Sequence, residues 1–408
     1  MVMLIKDQLF TFCAKDYRTA KGTHAAAYKQ FLAYYFQHFI EDEHDIADMG
    51  YFSQAAMSQF TQLLNHKKHA SVINITSVNI QKQYLQTYTR VQLAFKDTPF
   101  MVESIRGLFS RLGFQIKQSN LMANFHVSKE GSRLHIEPAE TDGDTFVWFD
   151  IEMHTEMNNT ELRDAISAVM GDVECVVRDW RRMQDTLRNI MYSWRDTPSA
   201  VASADLVQSY VAFMEWVLSS FAFLSYHGYK VKGKNYTLLG ERWGLSSQKG
   251  SKHYLACQVS NHDFPHQVYA ENKPLIYITQ TADLSTVHRN VHKDMIALRV
   301  YRPGNGAVLI EEHYFTGLLT ADAYVSDPSK IPLISQKFDE AMNAHGLRSR
   351  YSLRRMGYIL KSLPREEIFQ SDIQTLAKVA YDIFMIQERP VVKSFIRRDV
   401  CKQFYSVM

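Results

Sequence analysis

The sequence is short of most features that would name a chemistry, and each shortage excludes something. Among its 408 residues there are four cysteines, Cys13, Cys175, Cys257 and Cys401. They are widely scattered, with no CxxC and no close pair, which excludes a cysteine-built zinc site and a disulfide framework. Each reads as a reduced thiol in a cytoplasmic protein. No GxGxxG occurs, so the glycine-rich turn that seats a dinucleotide pyrophosphate is missing. Long apolar runs are missing too. Lys6, Asp7 and Lys15 interrupt the place of a signal peptide, and the most apolar later stretch, 210–226, carries Glu215 and is too short to span a bilayer. Nor does one charge dominate. Lys and Arg number 46, Asp and Glu 43, and a formal net charge of +3 gives no reason to expect nucleic acid or a membrane surface as partner.

What is there is the balance of a soluble globular protein, 46% hydrophobic and 22% charged, with length for two to three domains. Residues 1–69 read as an N-terminal helical segment: Phe31, Leu32, Tyr35, Phe36 and Phe39 recur at helical spacing, then Phe60, Leu63 and Leu64. The acidic residues 41–48 link its helices. Over 70–195 the pattern changes. Strands are expected at 71–75, 91–95, 114–127, 134–136 and 146–153. Between them Met101, Ile105, Leu108, Phe109 and Leu112 give one helix face, ended by Gly113, with Asp97 and Thr98 as candidate caps and Pro99 in the first turn.

Strand, helix, hairpin, strand, helix is the core of a ferredoxin-like α/β sandwich. Its last strand is missing, because 173–194 keeps helical period, and the early strand at 72–75 is expected to fill the vacant edge. Asp196, Thr197, Pro198 and Ser199 form the clearest linker. Residues 196–327 read as a helix followed by strands, with a strong turn at Asn305-Gly306. Residues 328–390 read as a helical connector and 391–408 as the start of a further strand-bearing module. The fold class is therefore α+β and multidomain. The basic run Arg348, Arg350, Arg354 and Arg355 reads as a solvated or interdomain face, without the interleaved aromatics of a single-strand platform. His262, Asp263 and His266 resemble loose metal ligands but lack a second pair.

The stretch 273–299 invites three catalytic readings. His288 and His292 stand four apart with Asp294 nearby, but HExxH is absent and β-branched neighbours favour strand over the helix that chelation needs. Ser285 or Thr286 beside His288 is closeness in sequence, and a triad is recognised in space. A phosphate loop would need glycines that are missing. No catalytic, cofactor-binding or metal residue is assigned.

Resemblance goes further. Ser285-Thr286-Val287-His288-Arg289 with Asp294 resembles a signature of the large bacterial NAD-specific glutamate dehydrogenases. Phe315-Thr316-Gly317-Leu318-Leu319-Thr320, Ile331-Pro332-Leu333, Pro364 to Gln370, Gln387-Glu388-Arg389-Pro390 and Phe395 to Asp399 follow in the same order. The likeness covers residues 70–408 and is to the N-terminal region of that family. It implies an ACT-type domain over 70–195 and a PAS-like α+β domain over 196–327. In ACT modules the loop after the first strand often takes an amino-acid effector; here it is Lys96, Asp97, Thr98, Pro99 and Phe100, with Phe100 where effector-binding relatives have glycine. Thr286, His288, Arg289 and Asp294 are expected to tie the signature loop together as a structural element.

The resemblance also implies a parent reaction, L-glutamate, NAD and water to 2-oxoglutarate, ammonia and NADH, with NAD bound by a catalytic domain outside this chain. The chain would be a truncated regulatory and assembly region, its partners the rest of the same polypeptide, further subunits and an amino-acid effector. The alternative is a free-standing small-molecule sensor built from the same modules.

Overall fold

The computed structural model describes residues 5–21, 24–37, 49–81, 85–130, 133–153, 157–233, 235–248, 275–304, 306–386, 394, 396–398 and 405–407. The acidic link 41–48, the polar stretch 261–272 and the motif 387–390 lie outside them. The chain forms two compact units, one of residues 1–173 with 286–290, the other of 174–285 with 291–408. No described helix is long and apolar enough to cross a membrane.

The first unit begins with α1 (Ile5–Lys21), α2 (Ala25–Tyr35) and α3 (Met49–Leu64). Then come β1 (Val72–Gln81), β2 (Leu85–Lys96), α4 (Met101–Arg111), β3 (Gln115–Glu130), β4 (Arg133–Pro138), β5 (Asp144–Glu152) and α5 (Asn159–Ser193), whose residues from Glu174 on belong to the second unit. The sheet order is β1-β2-β5-β3-β4, with every neighbouring pair antiparallel. The early strand does take the vacant edge: Val72 pairs with Ala94 and Gln81 with Leu85. Where a last strand would run, α5 continues unbroken to Ser193.

Alternation along β5 explains why nearly all of it is buried. Phe146 and Trp148 face one way and pack with Tyr28, Phe31, Tyr35 and Phe60 of the N-terminal helices. Val147, Phe149 and Ile151 face the other way, where the Phe149 ring meets Phe109 of α4 edge-on at 5.4 Å. The aromatic stripe of α2 is thus core. Inside the first of these layers Arg90 forks onto Asp150 at 2.7 and 2.6 Å, and the Tyr51 hydroxyl donates to the same carboxylate. The guanidinium lies 4.7 Å from the Trp148 ring centre, and the Trp148 indole donates to the Tyr35 hydroxyl at 3.0 Å. Burial works against the Arg90 charge, but the Asp150 carboxylate more than offsets it and its pKa is raised.

The second unit holds α6 (Ala204–Ser220), β6 (Phe221–Lys232), β7 (Asn235–Leu238), β8 (Trp243–Gly244), β9 (Ile276–Leu284), β10 (His292–Gly304) and β11 (Gly306–Leu319). After these come α7 (Ala321–Val325), α8 (Ile334–Asn343), α9 (Arg350–Ser362), α10 (Arg365–Gln370) and α11 (Ile373–Ile386). A two-stranded pair, β12 (Ile396–Arg398) with β13 (Tyr405–Val407), ends the described chain. The main sheet is antiparallel, ordered β7-β6-β11-β10-β9, with β8 also on β6. Strand β9 runs on to Leu284 and β10 starts at His292, so within the polar stretch 273–299 only a bend at 285–291 separates the two strands.

Ser203 caps α6 and Thr320 caps α7 through their side-chain oxygens. Gly317 sits at a bulge where a Cβ would run into the Ala222 carbonyl and the Phe221 ring, so only glycine fits. The basic run falls on and just before α9, and one expectation about it fails. Tyr351 and Tyr358 share that helix with Arg350 and Arg354, 70% and 62% exposed, so aromatics do interleave the arginines.

Candidate functional site

The loop between β2 and α4 is tightly held. Asp97 donates its N–H to the Gly143 carbonyl at 2.8 Å and accepts the Thr145 hydroxyl at 2.5 Å. The Thr98 hydroxyl turns back to the Lys96 carbonyl at 2.7 Å. Neither side chain caps α4, contrary to expectation, because each is spent within the loop, and the helix starts after Phe100 with no side-chain cap. Pro99 therefore precedes the cap residue and is not in the first turn. Lys96 reaches Asp142 at 2.7 Å. Hydrogen bonds from Lys96 and Lys68 pull the exposed Asp142 carboxyl well below the usual range.

Phe100 has φ 68° and ψ −3°, the left-handed region. For a bulky residue that costs about 1–2 kcal/mol, and what offsets it is a second segment of the same unit. Residues 286–290, which β9 and β10 flank in sequence, lie on α4. The His288 ring sits 4.7 Å from the Phe100 ring at 35°, with His288 itself at φ 66°. The His288 N–H donates to the Ser104 Oγ at 2.8 Å, and the Ser104 hydroxyl donates to the Phe100 carbonyl at 2.6 Å. The Thr286 hydroxyl donates to Asp172 on α5 at 2.6 Å. Val287 between them is fully buried. Burial, and then the neighbouring Arg289 charge, lower the His288 pKa, which favours the neutral ring.

The two loops singled out separately thus meet at Phe100 and His288. Arg289 is half-buried in the same segment, while Asp294 is a buried strand residue of the second unit, opposite Gly317 and Gln280. Ser104 and Asp172 were missed by sequence reasoning. Ser104 looks like any small helix residue, and its partner lies 184 positions away. His292 begins β10 and is exposed. Among the described residues no group of three or more His, Cys, Asp or Glu could hold a metal ion. What the arrangement offers is a locked joint of ring, hydroxyl and amide contacts around two strained residues.

Comparison with known proteins gives this geometry a context. Residues 31–166 match the family description "Glutamate dehydrogenase, ACT1 domain", a span that runs from α2 through the first sheet into α5. Residues 331–389 match "Glutamate dehydrogenase, helical motif 1", which covers α8 to α11. The chain carries N-terminal modules of the NAD-specific glutamate dehydrogenase family.

It is 28% identical over 334 residues to the NAD-specific glutamate dehydrogenase of Pseudomonas aeruginosa, covering 78% of this chain and 20% of that protein. It is 26% identical over 343 residues to the enzyme of the same name from Halomonas elongata, covering 79% and 21%. The chain spans about a fifth of the length of these curated relatives.

Several motifs that carry the glutamate dehydrogenase resemblance are structural here. Arg365, largely buried, donates to the carbonyls of Ala323, Tyr324 and Ser326 at 3.3, 2.9 and 2.6 Å and so closes the C-terminal end of α7. Ile331 is core, and Leu333 makes a left-handed turn into α8 at φ 66°.

Proposed function

We propose that this chain is a regulatory and assembly region of a large NAD-dependent glutamate dehydrogenase and performs no chemistry alone. In this reading the parent enzyme converts L-glutamate, NAD and water to 2-oxoglutarate, ammonia and NADH, with NAD held by a catalytic domain of the same polypeptide. The observation that carries it is the pair of glutamate dehydrogenase modules, ACT1 and helical motif 1, in one chain.

Between those modules we infer a PAS-like domain. With the two-residue β8 left out and the other five strands renumbered, the sheet order of the second unit is 2-1-5-4-3, flanked by helices, which supports that reading. Homo-oligomer formation belongs to the same proposal, and so does a cytoplasmic location.

The loop after β2 favours packing over effector binding. Phe100 takes a left-handed conformation and its ring is covered by His288, which leaves the backbone there poorly placed to approach a ligand. Sedimentation of the purified chain, together with thermal melts in the presence of single amino acids, tests the role. Concentration-dependent self-association with melts unmoved by amino acids is expected. A strict monomer whose melting temperature rises with one amino acid would favour an effector sensor instead.

A further inference from the structure

Helix α9 carries a charge arrangement that the rest of the fold leaves unbalanced. Arg350 and Arg354 stand four residues apart at its start, with no acidic residue in the first turn. Like charges at that spacing repel each other, and both sit near the positive end of the helix dipole. Neither makes an ion pair among the described residues. Lys361 at the other end of the helix is already held by Asp327 at 2.7 Å.

Both arginines line an open groove of about 980 Å³ between α8 and α9, floored by Phe338, Met342 and Leu353. Tyr351 and Tyr358 line it too and leave most of their surface in solvent. The Arg354 guanidinium lies over the Tyr358 ring, 5.8 Å from its centre, and donates to the Tyr358 hydroxyl at 3.4 Å, so cation and ring form one wall of the groove. Asp339, on α8, is the one carboxylate in the lining.

We propose that this groove binds a nucleotide, with Arg350 and Arg354 on the phosphates and the rings of Tyr351 and Tyr358 against the base. A guanidinium fork matches a phosphate with two parallel hydrogen bonds, and an anion there relieves the repulsion at the start of α9. Exposed aromatic faces stack on any base. The volume is that of a small-molecule site. A phosphopeptide or an acidic segment would use the arginines and leave both tyrosines idle. A nucleic-acid strand would need a longer basic track than two arginines, in a chain of formal net charge only +3.

Equilibrium dialysis of the 408-residue protein against ADP tests this, with adenosine, inorganic phosphate and a short single-stranded oligonucleotide as separate arms. ADP is expected to bind with a submillimolar Kd, and adenosine and phosphate each far more weakly. Arg354→Glu and Tyr358→Ala should each weaken ADP binding about tenfold. Their melting temperatures should stay unchanged, since both side chains are exposed. The proposal is overturned if ADP fails to bind at millimolar concentration, or binds no tighter than phosphate. It is equally overturned if the oligonucleotide binds tighter than ADP, or if both variants keep the parent affinity.

Discussion

Among the described residues each unit buries an arginine–carboxylate pair across neighbouring strands, and the two are built alike but hold different things. Arg90 faces Asp150 directly across β2 and β5, and Arg299 faces Glu312 directly across β10 and β11. All four residues are at most 5% exposed. In the first unit the guanidinium fork takes both carboxylate oxygens, and the tyrosine that joins them, Tyr51, comes from α3, 99 residues away. In the second, Arg299 places its Nε and a terminal nitrogen on one oxygen of Glu312 at 2.8 Å each. The other oxygen accepts Tyr314, two residues along the same strand, at 2.7 Å. The Arg90 pair therefore fixes a helix to its sheet, whereas Glu312, Tyr301 and Tyr314, which Arg299 and its carboxylate meet, all lie in the same sheet. A buried pair is weak evidence for net stability, and its use in the first unit is to set where α3 sits.

That contrast can be broken experimentally, and the largest effect is expected from Asp150→Ala. It strands a buried guanidinium and releases Tyr51, so about 4–5 kcal/mol should be lost, read as a fall in denaturant midpoint with early loss of amide protection in α3. Glu312→Ala should cost less, about 3 kcal/mol, and leave α3 protection intact. Equal losses, with α3 unaffected in both, would erase the distinction.

Acid should sharpen the contrast next. His227 of β6 stacks on Tyr314 at 5.2 Å, and burial lowers its pKa to about 4 from 6.5. A depressed histidine means that the unfolded chain takes up the proton first. Stability is then unaffected above pH 6.5 and is lost as the pH falls from 6.5 to 4, by about 2–3 kcal/mol. His227→Phe should flatten that slope in melts recorded across the window. A slope unchanged by the substitution would remove His227 from the account.

Smaller effects come from the hydroxyls and the joint. Tyr51→Phe and Tyr314→Phe should each cost about 1 kcal/mol by chemical denaturation, but only the first should raise exchange in α3. His288→Ala removes the ring that covers Phe100 and should cost about 1 kcal/mol, with Thr286→Val adding to it. No loss in either variant would mean that the 286–290 segment is not held as described.

The sheet of the first unit was largely legible in the sequence. Alternation in β5 and the helical face of α4 are local signals, and 72–75 could be placed on the open edge because the usual last strand was visibly helical. The polar interior was not legible. Arg90 and Asp150 look unremarkable 60 residues apart, since their pairing depends on strand register, which periodicity alone does not fix. The Phe100 position was suspect in sequence because a phenylalanine stood where glycine was expected, but its His288 cover lies far along the chain. The tyrosines of α9 stand among its arginines in the sequence, but that both rings lie largely in solvent follows only from how the helix packs.

The central proposal is that this chain is a regulatory and assembly region of a glutamate dehydrogenase and performs no chemistry alone. Turnover by the purified 408-residue protein, supplied with L-glutamate and NAD and shown to be folded by a cooperative melt, tests it most directly. The account predicts no NADH formation above the protein-free control. Steady NADH formation that disappears when the protein is unfolded would contradict it.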